Sequence, residues 1–534
     1  MSGAALAVLA TLVLGLICLL KIGRREAGLP PGPPTKPIVG NLHHIPIRNA
    51  HFQFTTWAKQ YGGIYSLKLF HATAVVITDR RLVRGLVDKK GAIYSSRPDF
   101  FFARRYVSRD PANIPLVVFL PFGDKLRLCR KLLAQQFNEA RVEQQCLPII
   151  EAEATQMLFD FWKRPDDFMM HPLRLTHSVI MTVTYGIRVK HHDGLHEYSE
   201  MLEDYVKLIE PSALPPVDLI PWLEYVPQSL WSGSWKNWKS KADESGKAVN
   251  AIFTKLAIPV LERRERGVRI ESVYDSLLDQ WEKGIDLTRR DLDNFAGSLV
   301  DAGSDTSSSA LRAVIQAMAK YPDIQQRAHK NIDEVVGAAR SPQWKDSARL
   351  PFIVQIIKET LRWRPIITFM PHATTADDTV NGYFIPKNTT VFLNIWGLNR
   401  TPSGPNDSDA NMSEFDPDRY ANRTHSSPHY AASPEFESRD HYSYGAGRRL
   451  CPGIHLAERT LFVAVAKLLW AFEFKEKPGT PIDVDPRTGY TEGAVRSPKP
   501  FECEILVRKG RESIIEREFA DARDVLGKFE NDVV

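Results

Sequence analysis

Cysteine is scarce in this chain: five in 534 residues, at positions 18, 129, 146, 451 and 503. The odd number and the scatter exclude a disulfide framework and point to a reducing compartment. No two stand at CxxC spacing, which excludes a sulfur-rich zinc site. Charge of one sign is also lacking. A net charge of +5 over this length gives no basic field of the kind that nucleic-acid binding needs. No internal repeat and no low-complexity linker divides the chain, so it reads as one large, mainly helical domain despite its length. The G-x-G-x-x-G fingerprint of a dinucleotide site is absent as well.

Long apolar runs are lacking with one exception, Ala4 to Leu20. As a helix this run would be about 26 Å long, enough to span a bilayer core. Lys21, Arg24 and Arg25 follow it and no charged side chain precedes it, so the positive-inside rule predicts a single-pass anchor with the rest of the chain in the cytosol. A cleaved signal peptide would carry its charge before the apolar part. Leu29-Pro30-Pro31-Gly32-Pro33-Pro34 forms a stiff extended spacer. The expected organisation is an anchor over 1–25, a hinge over 26–40, a catalytic domain over 41–508 and a C-terminal amphipathic helix over 509–534, where Ile515, Phe519, Ala522 and Leu526 keep a helical stripe. His191, His192 and Asp193 read as a solvated turn, since nothing else at metal-site spacing accompanies them.

The rest of the chain is organised around Tyr444-Gly445-Ala446-Gly447-Arg448-Arg449-Leu450-Cys451-Pro452-Gly453. Its glycines let the backbone turn sharply and approach a flat partner, and Pro452 suits a first helical position. Ala457, Leu461, Ala464, Leu468 and Phe472 recur at helical spacing, which predicts a helix burying one face. A thiol at a helix N-terminus beside Arg448 and Arg449 has its thiolate favoured. A lone cysteine is ordinarily a small buried hydrophobe, but this setting suits a metal ligand. Without CxxC or CxxCH, neither zinc nor covalent haem attachment fits, whereas a single thiolate suits an axial haem ligand. The loop resembles the haem-binding signature of the cytochrome P450 family, F-x-x-G-x-R-x-C-x-G, at Gly447, Arg449, Cys451 and Gly453, with Tyr444 in place of Phe.

Other motifs resemble the same family. Ala302-Gly303-x-Asp305-Thr306 lies in the longest helical pattern, which runs from a capping-box-like Thr288-x-x-Asp291 to Tyr321. The resemblance implies a helix locally opened beside the haem, with Thr306 donating hydrogen bonds to bound oxygen and Asp305 relaying protons. Glu359 and Arg362 stand three apart on one helix face, and with Arg419 of Phe415-Asp416-Pro417-Asp418-Arg419-Tyr420 they resemble the lock on the loop leading to the cysteine. Phe122 to Lys131 resembles W-R-x-x-R-K. That match implies Arg130 as a propionate ligand, but Leu126 stands at the tryptophan position and cannot donate. His372 matches a propionate contact, and Gly445 and Arg449 complete the implied cofactor-binding set. Asn399 replaces the histidine of Trp-Ala-(Ile/Leu)-His-Arg.

Short β-branched or apolar runs at Ile64 to Leu69, Ala74 to Thr78 and Thr389 to Leu393 predict a small sheet beside the helical body. Five prolines between Leu208 and Pro227 exclude one continuous helix there, and Phe100, Phe101 and Phe102 are candidates for lining a substrate pocket. The resemblance implies a mainly α fold with a small β-sheet subdomain (α+β) and an N-terminal transmembrane helix. It implies haem b held by the Cys451 thiolate as the metal ligand, catalysis by Asp305 and Thr306, dioxygen as co-substrate, and electrons from a separate NADPH-cytochrome P450 reductase, with cytochrome b5 as a second donor. The implied site is the endoplasmic reticulum membrane. The implied reaction is oxidation of a small apolar fungal secondary metabolite such as a phenolic polyketide, with m-cresol hydroxylases the most similar members. A terpenoid or alkaloid substrate, or a non-catalytic haem-binding membrane protein, are the alternatives.

Overall fold

The computed structural model describes residues 3–109, 113, 114, 116–191, 208, 214–401 and 411–530. His192 and Asp193 of the expected solvated turn lie outside them. Helix α1 (Gly3–Lys21) exposes Leu9, Leu12, Val13, Leu14 and Leu16. Among the described residues no helix is long and apolar enough to cross a membrane, so the transmembrane helix expected from the apolar run is not supported. From Lys21 the chain runs to the proline segment, where Arg25 donates to the carbonyls of Gly32 and Pro33 and to Ser66. The spacer is thereby fixed to the first strand.

Strands β1 (Ile64–Leu69) and β2 (Ala72–Ile77) pair antiparallel. After α2 (Asp124–Gln136), α3 (Leu147–Lys163), α4 (His171–Tyr185) and α5 (Trp238–Glu265) comes the 32-residue α6 (Arg289–Lys320). Thr288 caps α6 in a capping box with Asp291, which satisfies two of the orphan N–H groups of the first turn. Helix α7 (Pro351–Trp363) leads to β3 (Met370–Ala373) and β4 (Thr390–Leu393). The four strands form one sheet in the order β1-β2-β4-β3, in which β2 and β4 run parallel. Strand positions match the β-branched runs closely because each side chain there meets a sheet neighbour or a packed helix.

Helix α8 (Ile454–Ala471) continues directly into β5 (Phe472–Glu476), which pairs with β6 (Cys503–Val507). It packs against α3, α6 and α7. The sequence predicts one buried face, yet every residue from Arg459 to Ala471 is buried. Helices surround it on several sides, and of its two buried cations Lys467 is met by the hydroxyls of Thr155 and Ser341 and Arg459 by the carboxylates of Glu139 and Glu143.

The tail forms α9 (Glu512–Leu526). Ile515, Ala522 and Leu526 are buried, and Phe519 stacks on Phe159 with ring centroids 4.1 Å apart. Beyond it the Phe529 carbonyl accepts the Arg188 N–H at 3.2 Å, and Glu530 pairs with the Arg188 guanidinium. Arg188 also donates to Glu153, which accepts from Ser178 and Arg174 on α4. Between residues 214 and 235 the backbone makes only short 3-10 turns, such as Pro221–Tyr225 and Gln228–Leu230, as the prolines require.

Candidate active site

Gly447 has φ +58°, and a Cβ there would overlap the Val87 carbonyl. Only glycine meets both conditions without strain. Gly445 likewise has φ +77°, and between them the backbone folds back so that the Cys451 N–H donates to the Tyr444 carbonyl at 2.8 Å. Pro452 and Gly453 form a turn, and helix α8 starts at Ile454. Pro452 therefore lies just before the helix rather than at its first position. Burial pushes the Cys451 thiol up; the Gly453 backbone N–H and the Arg130 guanidinium pull the other way. Arg448 and Arg449 are the neighbours in sequence, but the cation that acts on the sulfur comes from α2. Arg448 is exposed and stacks over Phe122 at 5.0 Å. Arg449 turns away to the carbonyls of Ser95 and Leu120.

Burial governs the titration of Cys451, Asp301 and Asp305, yet each keeps some accessible surface. On α6, Ala302 is exposed and Thr306 half-buried, although the helix is buried before and after them. Gly303 and Ser304 face α4. A Cβ on Gly303 would come within 2.8 Å of Ile180, the Thr176 hydroxyl donates to the Ser304 carbonyl at 2.7 Å, and His177 Nδ1 lies 2.9 Å from Ser304 Oγ. Ser304 Oγ donates to the Val300 carbonyl, so His177 Nδ1 carries the proton. Burial pushes His177 down to about 3, hence it is neutral. The expected local opening of the helix is not seen: α6 is continuous, and the Thr306 hydroxyl donates to the Ala302 carbonyl at 2.7 Å, a bond that satisfies it without breaking the ladder.

A second set of residues forms one wall of positive charge. Arg97, Arg130 and Arg449 converge with His372. Arg97 is lowered to about 9 by burial and by Arg449; Arg449 is lowered to about 10 by burial and by Arg130. Burial, Arg97 and Arg449 push His372 down to about 3. No carboxylate is among the groups acting on them, and the Arg130 guanidinium makes no hydrogen bond with a described residue. Buried guanidiniums that repel one another and lack an acid need an anion. The two propionates of a haem are such anions, so the donor set fits the group. The His372 Nδ1–H donates to the Tyr94 carbonyl at 2.8 Å, which leaves Nε2 bare in the neutral ring. A carboxylate bound there would offset the two arginines and favour the imidazolium, whose Nε2–H becomes the donor.

Arg97 is missing from the sequence reading. Its guanidinium reaches the carbonyls of Val118 and Pro371, and the Ser96 to Ala373 bridge sets it beside His372. The signal available was an arginine immediately before Pro98, which fixes an extended backbone there. Leu126 is buried in the main core and contributes packing alone.

The three expected lock residues meet below this site. Arg362 makes a two-pronged bond to Glu359 at 2.6 and 2.7 Å, and Arg419 lies 3.7 Å from the same carboxylate. Arg362 also donates to the Met412 and Glu414 carbonyls, and the Asp416 N–H donates to Glu359 at 2.9 Å. Asn399, in place of histidine, accepts from the Tyr442 N–H at 2.8 Å and donates to Ser443. It joins α7 to the start of the cysteine loop. Of the three phenylalanines, Phe101 and Phe102 are buried in packing clusters. Phe100 is half-buried, with its ring 4.8 Å from that of Phe119.

A lone cysteine on a glycine-turned loop before α8, an acid and a hydroxyl on α6, and an arginine wall that fits two carboxylates match the donor set of a haem-thiolate enzyme. The sequence model of the family described as Cytochrome P450 matches residues 30–505, and the chain belongs to that family. It is 43% identical over 527 residues to cytochrome P450 monooxygenase macC of Penicillium terrestre, covering 97% of this chain and 96% of that one. It is 44% identical over 517 residues to cytochrome P450 monooxygenase patI of Aspergillus clavatus, covering 96% and 95%. Among solved structures, a zebrafish cytochrome P450 with progesterone superposes with a TM-score of 0.69 at 22% identity, over 86% of this chain and 99% of that one. That likeness concerns the fold. The protein is a cytochrome P450 monooxygenase, with haem held by the Cys451 thiolate.

Proposed function

We propose that this monooxygenase hydroxylates a small, largely apolar fungal secondary metabolite, a phenolic polyketide intermediate. One atom of dioxygen enters a C–H bond and the other leaves as water; NADPH supplies two electrons through a separate reductase, and solvent supplies two protons. The observation that carries the reading is the wall of Arg97, Arg130 and Arg449 with His372, which has no carboxylate acting on it and whose Arg130 acts on the Cys451 sulfur. The half-buried pair Phe100 and Phe119 supports an aromatic occupant, and the similarity to fungal monooxygenases agrees with it.

In this reading Arg97, Arg130, His372 and Arg449 hold the propionates, and Gly445 and Gly447 let the loop approach the macrocycle. The bound haem supplies the oxidising chemistry. With haem bound, the Thr306 hydroxyl, which donates to the Ala302 carbonyl, would be free to turn and donate toward the site, and Asp305, raised by burial and partly offset by Arg312, would pass protons from solvent to that hydroxyl. Glu359, Arg362 and Arg419 hold the cysteine loop in place. We place the protein at the endoplasmic reticulum membrane with its catalytic domain in the cytosol. The exposed leucines of α1 support attachment there, since a helix so apolar seeks lipid or protein. Cytochrome b5 is a candidate second electron donor. We take the anchor, hinge, catalytic domain and tail at the boundaries given above.

The test is reconstitution with NADPH-cytochrome P450 reductase. Phenolic candidates should shift the haem Soret band and make NADPH consumption substrate-dependent. Terpenoid or alkaloid candidates doing so in their place would overturn the substrate class.

A further inference from the structure

The stretch of α6 that carries Asp305 and Thr306 is weakly held by its own chemistry. Gly303-Ser304-Asp305-Thr306-Ser307-Ser308-Ser309 contains no strong helix former. The hydroxyls of Ser304, Thr306 and Ser308 bond back to carbonyls of their own helix, which loosens and bends helices. Yet α6 runs through this stretch without a break, and what holds it lies across the interface on α4. The bare Cα of Gly303 lets Ile180 come close. The Thr176 hydroxyl has three carbonyls in reach, those of Pro172 at 3.1 Å, Leu173 at 3.3 Å and Ser304 at 2.7 Å. It has one proton to give, and the shortest contact is the one to α6. Its neighbour His177 donates to Ser304 Oγ at 2.9 Å, so the carbonyl and the side chain of one residue are both taken by α4. Thr176, His177 and Ser304 are 2%, 3% and 1% exposed, hence no water replaces a lost bond. Farther along α6, the Arg312 guanidinium donates to the Met169 carbonyl at 2.7 Å, just before α4 begins.

We propose that Thr176 and His177 are positioning residues of the monooxygenase: by clamping Ser304 they set where Thr306, two residues on, stands, and so how much of the electron supply ends in product. A shift or rotation of the Ser304 backbone passes to Thr306 with no flexible link between them. Misplacement of a reacting group by about 1 Å can cost about 100-fold in rate. The hydroxyl-rich sequence that suits proton movement makes a poor helix, and α4 supplies the rigidity it lacks. The inference rests on the reading of Thr306 given above and adds the residues that place it.

The test uses the haem-loaded full chain with NADPH-cytochrome P450 reductase and 3-methylphenol as the probe. Thr176→Val and His177→Leu should keep the red-shifted ferrous-carbonyl band, which reports the thiolate. They should shift or broaden the C–O stretch of the bound carbon monoxide, which reports the groups beside it. Hydrogen exchange of the α6 amides from Asp305 to Ser309 should quicken about fivefold, the effect of one net hydrogen bond, and the share of NADPH recovered as peroxide should rise. Thr176→Ser, which keeps the hydroxyl, should restore all three. Combining Thr176→Val with Thr306→Ala should move the stretch and the peroxide share no further than Thr306→Ala alone, because the effect runs through Thr306. The C–O stretch needs no substrate and decides the matter where the parent itself makes only peroxide. Should Thr176→Val fail to hold haem, Ser304→Ala removes the acceptor of His177 from the α6 side and is read in the same way. An unchanged C–O stretch in Thr176→Val and His177→Leu, with lower thermal stability, would show that the pair only packs two helices and would overturn the proposal, as would full additivity in the double variant. If Thr306→Ala itself changes neither the stretch nor the peroxide share, the reading of Thr306 falls first and this one with it. If Thr306→Ala changes them and the α4 variants do not, this inference falls alone.

Discussion

Neutralising Glu359 tests whether burial, rather than geometry, gives an ion pair its weight. Glu359 is fully buried and Arg362 nearly so, with side-chain exposures of 0% and 2%. Arg327 and Asp418 make an equally good two-pronged contact, at 2.6 and 2.7 Å, but are 54% and 53% exposed. The exposed pair is hydrated with or without its partner and contributes about 0 to 1 kcal/mol. In the buried pair, Glu359→Gln leaves the Arg362 cation without countercharge, a loss of about 3 to 5 kcal/mol. The remaining carbonyl bonds from Met412 and Glu414 place the expected loss nearer 3. At no more than about 2 °C per kcal/mol for a chain of this length, thermal unfolding of the haem-loaded protein should fall by up to about 6 °C, against at most about 2 °C for Asp418→Asn. The lock also fixes the loop before Cys451, so the ferrous-carbonyl band should convert on warming to the form without thiolate well before helix content is lost. Equal shifts for the two variants would refute the argument, because the contact distances alone would then suffice.

Cys451→His should abolish the red-shifted ferrous-carbonyl band while leaving helix content intact by circular dichroism; a surviving band removes the assignment. Arg130→Leu and Arg97→Leu should each weaken haem retention about 10- to 150-fold, measured as transfer to apomyoglobin, since each removes a charge-assisted contact of about 1.5 to 3 kcal/mol. Unchanged transfer would mean that the propionates are held elsewhere. Thr306→Ala should bind haem and substrate normally but yield less product per NADPH and more peroxide. Asp301 lies near 7 in the folded chain and about 4 unfolded, so the native state keeps a proton that the unfolded chain has lost. Its contribution to stability therefore declines as pH rises from about 4 to about 7. Denaturant midpoints of the haem-free protein at pH 5 and 8 should show a smaller decline in Asp301→Asn, and an identical decline would show that this carboxyl is hydrated.

What was legible in the sequence was local. The capping box at Thr288 and Asp291, the β-branched run from Ile64 to Leu69 and the stripe through Ile515 and Leu526 each depend on neighbours a few residues away, and the structure has all three. The Glu359 and Arg362 pair was legible for the same reason, being one helical turn apart. What failed depended on distant chain. Arg97 gains its place from carbonyls at 118 and 371 and from Arg449, none of which a window around Arg97 contains. The cation beside the Cys451 sulfur arrives from α2, so adjacency in sequence named Arg448 and Arg449 wrongly. The continuity of α6 through Gly303 follows from Ile180 and Thr176 on α4, which press against that segment and hold its carbonyl. The full burial of α8 reflects helices on several sides, which a single-face pattern cannot register.

The attachment of Phe529 and Glu530 to Arg188 bears on how the chain is made. During synthesis from the N-terminus, Glu153 and the α4 residues that meet α6 emerge several hundred residues before Glu530. Until the last turn leaves the ribosome, the Arg188 guanidinium lacks one of its carboxylates and the α3 surface under Phe519 faces water. The nascent chain thus carries an uncovered aromatic patch through most of its translation. A premature stop between Arg511 and Phe529 would leave every motif of the haem site encoded and that patch permanently open, so such products are expected to be cleared by the cell's quality control rather than to accumulate as active enzyme.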